Sequence, residues 1–276
     1  MQLDAGLIGI LPLLLAVVAF IAYRLFSKWR RKRIVSRQFP GEWQQLVAAN
    51  IPLYRDLNTE QQAKLHSKMQ LFLAQKDFYG CAGLQVTDTM RVLIAAEACL
   101  LILHHDGEVY PDLASVLIYP SAFIARREEL LEDGTVAHAA TGMLGESWDA
   151  GKVILAWDAV QQGVANFTDG SNVVLHEFAH QLDSHAGGAN GAPALSHNSY
   201  RTWARVLSEN YDDLRARVSK GQDTVIDGYG ATNPAEFFAV ATETYFERPD
   251  ALREHRPELY EELRRYYGFD LAGRHN

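Results

Sequence analysis

The longest apolar tract lies at the start of the chain, where "AGLIGILPLLLAVVAFIAY", Ala5 to Tyr23, carries no charge over 19 residues. A helix of about that length spans the hydrocarbon core of a bilayer. The tract therefore predicts one transmembrane helix, with a proline at residue 12 that membrane helices tolerate. Beyond it, periodic patterns take over. "NTEQQAKLHSKMQLFLAQ" opens on a capping candidate, Asn58 or Thr59, and spaces Leu65, Met69, Phe72 and Leu73 at helical intervals. "TDTMRVLIAAEACLLILHH" predicts a second helix, so nearly apolar all round that it belongs in the core. "ASVLIYP" and "KVILAW" are short apolar runs with β-branched residues and predict strands. Helical spacing returns over Asn172–Ser184, about Tyr200–Val218, Asn233–Phe246 and about Pro249–Tyr267, with the loop "HAGGANGAPALSHN" between the first two. Helices and a few strands in separate blocks predict an α+β fold, mostly helical with a small sheet.

Charge adds a topology. Arg24, Lys28, Arg30, Arg31, Lys32, Arg33 and Arg37 follow the apolar tract, whereas its N-terminal flank holds Asp4 and no basic residue. By the positive-inside rule the N-terminus is expected outside and the rest of the chain in the cytoplasm, anchored to the inner membrane. This order is the reverse of a cleaved signal peptide. Two parts follow: residues 1–37 as anchor and basic juxtamembrane segment, and residues 38–276 as one body. That body has 19 basic against 33 acidic residues, a formal −14. So acidic a body is a poor nucleic-acid binder, and the basic cluster is expected to hold anionic lipid headgroups instead. Two cysteines, Cys81 and Cys99, stand in no metal-ligand spacing and exclude a disulfide scaffold.

The chemistry lies in "NVVLHEFAHQLD". His176 and His180 are four apart and project from one face of a helix, where two imidazoles can share a zinc ion. Glu177 sits about 100° round from His176, within reach of a water on that metal. A buried helix with these three groups would bear a desolvation cost unless they were paired or metallated. A catalytic zinc needs a third protein ligand. The metzincin spacing fails, because Asp183 and Ala186 occupy the positions of its Gly and third His, and His185 falls one residue early. Downstream, "YGATNPAEFFAVATETYFE" offers Glu236 at the third helical position after Asn233 and Pro234, where it could equally complete a cap. Glu243 lies seven residues on, on roughly the same face, and spacing does not separate the two.

These segments, with "MRVLIAAEACLLIL", "VLIYP" and "GESWDAGKVILAWD", resemble the Mlc titration factor A family of zinc peptidases over roughly residues 40–270. The second motif also resembles the catalytic domain of anthrax lethal factor, in which a tyrosine precedes the ligand glutamate by seven residues. The resemblance implies a zincin-like metallopeptidase domain. It makes His176, His180 and Glu236 the zinc ligands, Glu177 the general base and Tyr229 the group facing the reacting carbonyl, with Glu243 in a supporting place. It further implies an aminopeptidase-like activity on peptide or protein substrates. A second role, binding and sequestering a transcriptional repressor, is the alternative. Among lesser features, Asp183 is expected to orient a ligand histidine or to end the helix. "VILAW" is expected to be a core strand or an edge that pairs with substrate. Trp148 and Trp157 are expected to pack, and His104 and His105 to have a surface or packing role. The Gly-rich loop 187–191 lacks a P-loop lysine.

Overall fold

The computed structural model describes residues 5–121, 124–130, 136–142, 151–185, 188, 190–195 and 199–273, with side chains from Leu14 onward and outside the 124–142 hairpin. Its helices are α1 (Ala5–Val35), α2 (Gly41–Asn50), α3 (Pro52–Asp56), α4 (Thr59–Gln75), α5 (Asp88–Leu101), α6 (Trp157–Ala165), α7 (Val173–Ser184), α8 (Tyr200–Val218), α9 (Pro234–Glu247), α10 (Pro249–His255) and α11 (Pro257–Tyr267). A 3₁₀ turn, Gly228–Ala231, precedes α9. The strands are β1 (Asp77–Gly80), β2 (Ser115–Tyr119), β3 (Ile124–Leu130), β4 (Val136–Gly142) and β5 (Lys152–Ala156).

The mostly helical architecture with a small sheet is as expected; the transmembrane helix is not. Among the described residues no helix is long and apolar enough to cross a membrane. The side chains of the uncharged tract before Leu14 lie outside the described residues. Helix α1 continues unbroken through the basic cluster to Val35. The single-pass topology, the inner-membrane location and the membrane as a partner fall with it. The end of α1 instead belongs to the body. Ile34 and Val35 pack on the core, Arg31 bonds Glu108 and the Gly107 carbonyl, and Gln70 on α4 donates to the Arg37 carbonyl.

Strands β1, β2 and β5 form a parallel sheet in that order, with Phe78 beside Val116 and Val116 beside Val153. Strands β3 and β4 pair antiparallel as a separate hairpin. Strand β5 is an edge of the three-stranded sheet among the described residues, and α7 lies against it.

Two buried helices flank α7. Helix α5 starts at Thr87, whose hydroxyl accepts from the Met90 amide, and then runs through an almost wholly apolar stretch, so its sides from Val92 to Leu101 are buried. Helix α9 starts at Asn233 with Pro234 in its first turn and is buried from Ala235 to Glu247. A helix as nearly all-round apolar as α5 is expected at the centre of the core. The amphipathic α7 fills the groove between them, with Val174, Leu175, Phe178 and Ala179 fully buried. The ring of Phe178 meets Phe72 and Tyr110 at 5.6 and 4.9 Å between centroids. The single helix expected over Pro249–Tyr267 is two, α10 and α11. Pro257 lacks an N–H and keeps Arg256 out of the α region, at φ −140° and ψ 60°.

Candidate metal centre

The helix that carries His176 is fixed at its first residue. The Asn172 side-chain oxygen accepts from the amides of Val174 and Leu175, both at 3.1 Å, and the Asn172 carbonyl accepts from the His176 amide at 2.9 Å. Asn233 does the same for α9, accepting from the Glu236 amide at 3.0 Å. Two capped helix starts thus face each other and bring His176 and Glu236 together.

The ligand-type atoms converge. His176 Nε2 lies 3.0 Å from Glu236 Oε2 and 3.1 Å from His180 Nε2, and His180 Nε2 lies 3.5 Å from Glu236 Oε2. Four ligands around zinc at ~2.0–2.1 Å would stand about 3.3 Å apart. The three atoms therefore already have the spacing of one face of such a tetrahedron, and the donor set of two imidazoles and a carboxylate suits a divalent zinc ion. Among the described residues this is the one cluster of three such side chains so arranged.

Glu243 lies on the other side of the His176 ring, its Oε1 accepting from Nδ1 at 2.7 Å. That bond sets the tautomer and leaves Nε2 facing His180 and Glu236. Two buried carboxylates around one imidazole call for positive charge. Burial alone would lower the His176 pKa, but the bonds to Glu236 and Glu243 outweigh it and raise it to about 10. Glu236 responds in the opposite sense: burial works to raise its pKa, and the two histidines bring it down to about 2. His180 is fully enclosed, and burial lowers its pKa. A proton held between Glu236 and Glu243 and a divalent cation held by the three converging atoms are two answers to one electrostatic demand.

Glu177 follows on α7 and is buried, and its charge acts on both His176 and Tyr229. Tyr229 sits in the 3₁₀ turn, where Asp227 accepts from its amide at 2.8 Å. Its ring is 6.1 Å from that of His176 and half-exposed, so the phenol borders the cluster from the solvent side. Burial, then the charges of Glu236 and Glu177, raise its pKa.

Other sequence candidates fall elsewhere. Asp183 accepts from the amides of Gly191 and Ala192 at 2.7 and 2.9 Å, so it fastens the following loop rather than a histidine. His185 pairs with Asp112 and is no part of the cluster. His105 bonds the Tyr266 carbonyl and packs on that ring. Trp157 packs on the core, and Trp148 lies outside the described residues. Sequence reasoning passed over Asn172, Glu97 and Glu247 as site components. The available signal was Glu97 itself, a lone charge in the middle of "VLIAAEACLLIL".

A family model described as "Glucose-regulated metallo-peptidase M90" matches residues 26–268. An uncharacterized protein of Synechocystis sp. is 42% identical over 261 residues, covering 94% of this chain and 95% of the relative. Proteins named "Mlc titration factor A" from Yersinia pestis and Yersinia pseudotuberculosis are each 32% identical over 237 residues, covering 85% of this chain and 86% of theirs.

Proposed function

The chain belongs to the glucose-regulated metallo-peptidase M90 family, and from that premise we propose that it is a zinc-dependent peptidase in which His176, His180 and Glu236 hold the metal. The convergence of two imidazole nitrogens and one carboxylate oxygen at 3.0–3.5 Å carries this reading. A bound zinc would supply an electrophile for the peptide carbonyl and lower the pKa of a water. Glu177, buried beside His176, takes the proton of the attacking water and delivers it to the leaving amine. Tyr229 donates its phenol hydrogen to the oxyanion as the carbonyl becomes tetrahedral. Strand β5, an edge of the sheet among the described residues, pairs with an extended peptide main chain. Glu243 holds the His176 ring from Nδ1 rather than joining the metal. The aminopeptidase-like mode belongs to this proposal and is tested by whether free N-termini are required.

The decisive variants separate base from ligand. Glu177→Gln retains about one zinc per chain and loses turnover by roughly 10²-fold or more, whereas His180→Ala loses both. Full metal content in His180→Ala, by elemental analysis after dialysis, refutes the site. Glu236→Ala weakens zinc binding more than Glu243→Ala does, and the reverse ranking transfers the ligand role to Glu243.

One observation favours a second role. Relatives 32% identical over most of both chains carry the name Mlc titration factor A. On that reading this chain also sequesters a transcriptional repressor on a surface apart from the zinc chemistry. Glu177→Gln then still captures the repressor while it hydrolyses nothing.

A further inference from the structure

Asn172 does more than cap a helix. Its backbone N–H donates to Glu243 Oε2 at 2.5 Å, the same carboxylate whose other oxygen holds His176 Nδ1. Its side-chain amide donates from Nδ2 to Glu97 Oε1 on α5 at 2.9 Å, while Oδ1 caps α7. Its carbonyl closes the first helical turn on His176. All four hydrogen-bonding groups of the residue are thereby used, and each bond ends on α5, α7 or α9. The site is closed: Asn172 is 1% exposed and Glu97 fully buried. Gly163 on α6 covers the amide so tightly that a Cβ there would meet Asn172 Cγ and Nδ2 at 3.2 Å. A generic N-cap needs only an accepting oxygen. The donor aimed at a buried carboxylate on a third helix is additional, and capping does not explain it.

We propose that Asn172 is a positioning residue for the metal centre, its amide and backbone N–H locking Glu97, Glu243 and the start of α7 into the one arrangement that aims His176 Nε2 at the metal. The inference rests on the zinc reading and extends it through a chain from Glu97 to Asn172 to Glu243 to His176. Each link is directional. The Glu97 oxygen accepts from an amide, that residue's N–H is offered to Glu243, and Glu243 accepts from the imidazole. Reversing the first link without breaking the helix cap is therefore an available test.

Asn172→Asp keeps the capping oxygen but sets a carboxylate oxygen against Glu97; burial raises the Glu97 pKa to about 7, so at pH 8, where the measurements are made and Glu97 is ionised, both are acceptors. Glu97→Gln alone keeps an accepting oxygen for Nδ2. The double variant Asn172→Asp/Glu97→Gln restores a donor–acceptor pair with its direction reversed. Outer partners of metal-binding histidines are typically worth 10–100-fold in affinity. The full chain is purified with each substitution, zinc affinity is measured against a competing chelator, and visible spectra are recorded with cobalt in place of zinc. Asn172→Asp is expected to lose about tenfold or more in zinc affinity and to shift the cobalt bands. Glu97→Gln stays within about threefold of wild type, and the double variant recovers most of the loss. Turnover falls in kcat with KM little changed, because the substrate is not touched. A purely structural cap would lower the melting temperature and leave the cobalt spectrum alone, which overturns the proposal. So does a double variant no better than the single one. Should Asn172→Asp not fold, Asn172→Ser keeps a capping oxygen and lacks the amide; wild-type zinc affinity there also overturns it. If the wild-type chain itself binds no zinc, the underlying zinc reading fails, and that result is distinct from every outcome above.

Discussion

At the scale of single residues, the centre is a set of buried charges in which each one's pKa is set by its neighbours. Glu247 is the clearest case outside the three converging side chains. Its Oε2 accepts from the amides of Gly170 and Ser171 at 2.8 and 3.1 Å, while Oε1 has no hydrogen-bond partner among the described residues. Burial, only partly offset by the Gly170 amide and the Asn172 side chain, raises its pKa to about 8. The folded state thus keeps a proton that the unfolded chain releases near 4.5. The stability this contributes is complete below the unfolded value and is lost as pH rises through about 8. The histidines with lowered pKa, such as His105 and His180, act in the opposite sense, so the comparison must be between variants. Urea unfolding with a chelator at pH 5.5 and pH 8 should show Glu247→Gln gaining stability relative to wild type at the higher pH. An unchanged difference at the two pH values contradicts a protonated Glu247. The pair four apart on α7 was legible from the sequence because helical geometry alone puts His176 and His180 on one face. The choice between Glu236 and Glu243 was not, because both lie on the same face of α9. Only the packing of α7 against α9 decides which carboxylate meets Nε2 and which meets Nδ1.

At the scale of elements, strong periodicity was readable and short or exceptional segments were not. The expected starts at Asn58, Asn172 and Asn233 all carry capping side-chain bonds. Strand β1 is four residues long and mostly exposed, too short for an alternation to register. The apolar run at the N-terminus illustrates a limit of hydropathy: an uncharged tract predicted a span, yet helix α1 carries its basic residues straight on to a packed end. Pro257 broke a helix whose apolar spacing runs through it. Helix α7 depends on its neighbours more than on propensity, being only twelve residues long. Phe178 is the side chain that seats it, fully buried between Phe72 and Tyr110. Phe178→Ala should cost about 3–5 kcal/mol. It should also loosen metal binding, since the same helix carries both histidines. Chemical denaturation checks the first, and a chelator competition the second. A loss under about 1 kcal/mol, the scale of small core trimming, would mean α7 is held chiefly by its cap.

At the scale of the whole molecule, the proposed metal would join elements that are distant in sequence. His176 and His180 come from α7 and Glu236 from α9, and these helices pack directly on each other. An ion bound to all three is a cross-link present only in the folded chain, so its binding free energy adds to stability. At a free metal concentration of 100 times Kd that amounts to about 2.7 kcal/mol. At roughly 2–4 °C per kcal/mol for a chain of this size, the melting temperature should rise by about 5–11 °C over the chelated protein. Glu177→Gln should keep this increment, because it changes no ligand, and His180→Ala should lack it. The effect should also be local: amide exchange should slow most in α7 and in the first turns of α9, and little in α10 and α11, which hold no ligand. A metal-loaded chain that melts at the same temperature with and without chelator would show that no ion bridges α7 and α9, whatever its zinc content. The convergence of His176, His180 and Glu236 would then be a proton-linked cluster, with the imidazolium of His176 meeting alone the demand of the two carboxylates that flank it.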